Sequence, residues 1–213
     1  MNDELVIKTK NAFDYIQKLY GEVALLIQEA EGHLNAEPER FVIGLPSGYG
    51  VVGRGSSGLG AANVRLWPTR KFSIFFVPET GTEEKGGQTI TSLAQPVIYV
   101  RFMLDGYSVT MANGDPLKEP AVLYGIFTKI ERKHKKRFEK VEQLLIHLEY
   151  NEERVFAKLP KVVYEDAGVR AHGVFEHVPL FELREARDVV QKLVQPAVRL
   201  YRHQTAPIPS ASG

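Results

Sequence analysis

The segment 44–60 holds the densest anion-binding chemistry in the chain. Gly44, Gly48, Gly50, Gly53, Gly55, Gly58 and Gly60 alternate with Arg54, Ser56 and Ser57. Glycines free successive backbone N–H groups to turn toward one point, and such a nest binds anions. A guanidinium and two hydroxyls would complete it, with Arg65 and Arg70 close enough in sequence to converge on the same pocket. Gly48-Tyr49-Gly50-Val51-Val52-Gly53 also has the letters of a dinucleotide fingerprint. That motif holds a pyrophosphate only where a helix opens at its end. Here more glycines follow, then the strand-like Val64-Arg65-Leu66-Trp67, so the spacing argues against a dinucleotide site. No Lys follows the final Gly, as a phosphate loop requires, and no Gly-x-Ser-x-Gly elbow forms around Ser56 or Ser57.

The second chemical feature is a block of cations. Lys129, Arg132, Lys133, Lys135, Lys136, Arg137 and Lys140 face only Glu131 and Glu139, a local excess of five positive charges. The whole chain carries 27 Lys and Arg against 26 Asp and Glu, net +1, so the remainder is acidic by four. A local field of this kind can track nucleic-acid phosphates with strong salt dependence, or can simply keep a protruding segment solvated.

Other chemistry is sparse. His172 and His177 are five apart and fall on opposite faces of a strand. Glu176 shares a face with His172, and Tyr164 could stand near both. His134 and His147 lie thirteen apart in a helical reading. Three or four converging ligands are needed for zinc or iron, and none of these spacings supplies them, so no metal and no cofactor are expected. Glu83-Glu84-Lys85 and Glu131-Arg132-Lys133 spell the Glu-x-Lys of metal-dependent nucleases, the first in a glycine-flanked loop and the second on a helix, both the wrong context. Zero cysteines exclude disulfides, thiolate metal sites and a thiol nucleophile. No catalytic residue is assigned.

Hydrophobic periodicity supplies the elements that must carry these groups. Phe13, Ile16, Tyr20, Val23, Ile27, Ala30 and Leu34 recur at three-four spacing, a helix that Gly32 and Pro38 bring to an end. Phe41-Val42-Ile43 and Phe72 to Val77 read as strands, the second apolar enough to be covered on both faces. Residues 79–90 read as a flexible polar loop. Asp105-Gly106 predicts a type I′ hairpin that pairs Ile98–Leu104 with Tyr107–Met111 and leaves Arg101 on a partly wet face. Leu123, Phe127 and Ile130, then Phe138, Val141, Leu145 and Leu148, predict one long helix across the cations. Val155-Phe156-Ala157, Val162-Val163-Tyr164 and Val169 to Val178 read as strands, with a turn at Asp166-Ala167-Gly168. A closing helix carries Leu183 to Leu200 and is kinked near Pro196.

These elements predict one α+β domain over 1–204, a mainly antiparallel sheet packed by three or four helices: N-terminal, long central basic and C-terminal. Residues 205–213, rich in Pro, Ser and Ala, are expected to be a disordered tail. The acidic start Met1-Asn2-Asp3-Glu4 and the lack of any long apolar run point to a cytoplasmic protein without membrane contact. The expected function is a non-enzymatic binding or regulatory protein acting through protein contacts. A nucleic-acid-associated protein using 129–140 comes second, and an enzyme or sensor of a phosphorylated small ligand held at 44–60 third. The first helix and the central helix carry stripes longer than one small sheet can cover, so a homo-oligomer, most simply a two-fold dimer, is also expected.

Overall fold

The computed structural model of the chain describes residues 3–43, 71–79, 82–85, 88–91, 96–104, 117, 119–132, 144, 147–148, 151–166 and 168–205. The first element is α1 (Asp3–Ala36), 34 residues and so about 51 Å long. Six strands then build one antiparallel sheet: β1 (Phe41–Ile43), β2 (Lys71–Pro78), β5 (Val97–Met103), β6 (Ala121–Arg132), β7 (Lys161–Glu165) and β8 (Val169–Pro179). Their spatial order is β1-β2-β5-β6-β8-β7. A separate hairpin, β3 (Thr82–Lys85) with β4 (Gln88–Thr91), occupies most of the stretch read as a loop. Its register places Thr82 opposite Thr91 and Lys85 opposite Gln88.

The sheet is covered on both sides, which is why β5 and the first seven residues of β6 are buried on both faces. On one face, Tyr20, Val23, Ile27, Ala30 and Leu34 of α1 meet Ile74, Phe76, Ile98, Val100, Phe102, Val122, Tyr124 and Ile126. The C-terminal helical segment joins them through Val189, Leu193, Val194, Ala197, Val198 and Tyr201. It runs as α3 (Ala186–Val189), a π turn (Val190–Val194) and α4 (Gln195–Thr205). Pro196 is the cause of the π turn: it lacks an N–H and its ring crowds the preceding turn, so the amide of Gln195 reaches back five residues to the Val190 carbonyl. On the other face, Leu144, Leu148, Val155, Phe156 and Leu159 pack on Phe75, Tyr99, Leu123, Phe127, Tyr164 and Phe175.

Helices and an open antiparallel sheet confirm the α+β class, but the expected three or four helices reduce to two long helical elements among the described residues. The central helix is the error, since residues 121–132 form β6. Leu123, Phe127 and Ile130 imitate helical spacing because the pairing with β8 slips between Phe127 and Lys129. The bulge at Thr128 adds one residue, so an i, i+4, i+7 set lies on one face of a bulged strand. Leu144, His147 and Leu148 are helical. Val155 closes the short α2 (Glu152–Val155), where a strand was expected.

The Asp105-Gly106 hairpin is also corrected. One edge of β5 pairs with β2 (Phe102 opposite Phe72) and the other with β6 (Phe102 opposite Val122), so no edge remains for Tyr107–Met111. Residues 105–111 themselves lie outside the described residues. With both edges paired and both faces covered, Arg101 is fully buried rather than partly wet. The β7–β8 hairpin is found as expected, turning at Asp166–Gly168.

Candidate functional site

The phosphate-nest residues Arg54, Ser56, Ser57, Arg65 and Arg70 lie outside the described residues, as do Lys133, Lys135, Lys136, Arg137 and Lys140 of the cationic block. So does the end of the chain from 206. The other two cations stand on β6, not on a helix. Lys129 is paired with Glu131 (2.8 Å), and Arg132 pairs in register with Val169 of β8. The strand brings Lys129 into a ladder of mixed sign. Glu131 also meets Arg170 at 3.6 Å, and the Arg170 guanidinium donates two 3.1 Å hydrogen bonds to Glu165 on β7. Glu131 does occupy the strand context that a Glu-x-Lys site needs, yet its two neighbours are cations, which is opposite to a shared metal. Among the described residues no three His, Asp or Glu side chains come together as a metal site.

His172 and His177 sit on opposite faces of β8, as their spacing predicts. The grouping of His172, Glu176 and Tyr164 is not formed. Tyr164 pairs with Ala171 and enters the core of the other face, while Glu176 accepts a 2.8 Å hydrogen bond from Tyr124. Burial, then that hydrogen bond, pushes the Tyr124 phenol far above its usual range.

The structure instead assembles a polar cluster that the sequence did not reveal: His147, Tyr164 and Asp166. His147 Nε2 donates to Asp166 Oδ2 at 2.6 Å, and the Tyr164 hydroxyl donates to the same oxygen at 3.0 Å. The amides of Gly168 and Val169 both donate to Oδ1 at 2.7 Å. Asn151 anchors the helical side by donating to the His147 carbonyl at 2.8 Å, and the Arg154 guanidinium lies over the Tyr164 ring at 5.4 Å. Burial alone would raise the Asp166 carboxyl, but the Gly168 and Val169 amides, then His147 and Tyr164, outweigh it and hold the group well below the usual carboxylate range. Tyr164 moves the other way, pushed up to about 12 by burial first and by the carboxylate beside it second.

A carboxylate orienting an imidazole is the skeleton of an acid–base dyad. Here, however, protein donors occupy both Asp166 oxygens, and the His147 and Asp166 side chains are only 17% and 18% exposed. The arrangement therefore acts as a clamp between the helical His147 and the β7–β8 hairpin. Its one legible signal was the Asp-x-Gly turn, whose carboxylate commonly takes nearby amides. The histidine arrives from nineteen residues upstream, a spacing no local rule connects.

A second buried polar group lies deeper. Ser73 and Arg101, opposite each other on β2 and β5, are fully buried, with Tyr99 donating to Ser73 at 2.7 Å and the Arg101 guanidinium 5.5 Å from the centre of the Phe156 ring. Phe156 packs with Tyr99, Phe127 and Phe175, so this guanidinium lies inside an aromatic core and not at a ligand-facing surface.

Among the described residues, the first half of α1 departs from ordinary burial over the longest stretch. From Glu4 to Lys18 every residue is exposed, whereas from Tyr20 the same stripe is buried against the sheet. The exposed part is not polar: Leu5 is 62%, Phe13 63% and Ile16 41% exposed, with Val6 between. No helix among the described residues is long and apolar enough to cross a membrane, so this arm is an amphipathic projection and not a span.

Comparison of the chain with protein-family models, with curated proteins and with solved structures gives no match.

Proposed function

We propose that the protein is a binding or regulatory protein acting through protein–protein contacts, and that the projecting half of α1 is its contact element. One observation carries this reading. The stripe that seats Tyr20, Val23, Ile27, Ala30 and Leu34 on the sheet continues at three-four spacing through Ile16 and Phe13 and, past the polar Thr9, to Val6, where no described part of the chain covers it. Helical propensity alone leaves isolated helices of this length marginal in water, so an exposed, partly apolar stretch of about four turns favours a covering surface. Recognition by an amphipathic helix reads its partner through anchors at i, i+3, i+4 and i+7, which is the spacing here.

The test is face-specific photo-crosslinking. With p-benzoylphenylalanine at position 16, on the stripe, irradiation should give a discrete protein adduct, lost when Phe13→Glu is added. The same probe at position 18, on the opposite side of the helix, should give none. Equal labelling from both positions, or no adduct from position 16, would defeat the proposal.

A further inference from the structure

We draw no further inference here: the strongest candidate, the outer edge of β7 at the end of the sheet, where Val163 stands 74% exposed between Lys161 and Glu165, carries nothing because nothing in the structure shows what covers it.

Discussion

Glycine-to-alanine exchange at Gly125 and at Gly21 should move stability in opposite directions, and the sheet explains why. In an unencumbered strand or helix the exchange gains about 0.5–1 kcal/mol, because glycine loses the most backbone freedom on folding. Gly21 in α1 has nothing within 4 Å of the place a Cβ would take, so Gly21→Ala should gain close to that full amount. At Gly125 a Cβ would lie 2.2 Å from the Val174 carbonyl oxygen and 2.7 Å from both Cα and Cδ1 of Phe175. The Phe175 ring lies over Gly125 of β6 and Gly173 of β8, filling the room those residues leave. Relief needs a shift of about 1 Å between two paired backbones at the centre of the sheet, not the swing of a side-chain end. Overpacking costs about 1–3 kcal/mol when side chains can adjust. With backbone in the way the upper part of that range applies, and the backbone-entropy gain of about 0.5–1 kcal/mol offsets only part of it. A net loss of about 2 kcal/mol corresponds to a fall in Tm of roughly 4–8 °C for a domain of this size, against a rise of roughly 2–4 °C for Gly21→Ala. Thermal and urea unfolding followed by circular dichroism would read both. If Gly125→Ala melts at or above the wild-type temperature, the close approach of β6, β8 and Phe175 described here is wrong.

Asp166 offers a pH-dependent counterpart. Its carboxyl is held below the ordinary value of 3.8, so its contribution to stability is fully present above about pH 5 and is lost as pH falls toward the depressed folded value. Asp166→Asn should therefore destabilise at neutral pH and flatten the loss of stability between pH 5 and 2; an unchanged acid limb would refute the clamp. Tyr164→Phe removes one donor to that carboxylate and should cost about 1.5–3 kcal/mol, as hydrogen bonds to charged groups do, with no change in the β7–β8 pairing seen by hydrogen exchange. Phe156→Ala, which empties the space among Tyr99, Phe127, Phe175 and the Arg101 guanidinium, should cost about 3–5 kcal/mol; a loss below 1 kcal/mol by urea titration would show that this layer is not packed on the sheet.

Periodicity decided much of the fold before any coordinates. The three-four recurrence from Phe13 to Leu34 could only be a helix, and its exit at Gly32 and Pro38 agrees with α1 ending at Ala36. Phe41–Ile43, Phe72–Val77, Val162–Tyr164 and Val169–Val178 all fall on strands, because β-branched and aromatic runs between turn residues suit the pleat. The turn at Asp166 was legible for the same local reason. What local pattern could not supply was the partner of each strand. Asp105-Gly106 is a sound hairpin signal, yet β5 gives both edges to β2 and β6, whose segments are remote from that turn. The buried Arg101 follows from the same fact: alternation tells which residues share a face, and only the layer of Leu144, Leu148 and Phe156 makes that face an interior. At 121–132 a single bulge turned strand parity into apparent helical spacing, and sequence rules carry no marker for a bulge that pairing with β8 creates. The His147–Asp166 contact likewise joins groups whose separation obeys no helical or strand period. The α1 stripe is the reverse case. Its length is written in the sequence, but only the extent of the sheet decides that Tyr20 is covered and Phe13 is not.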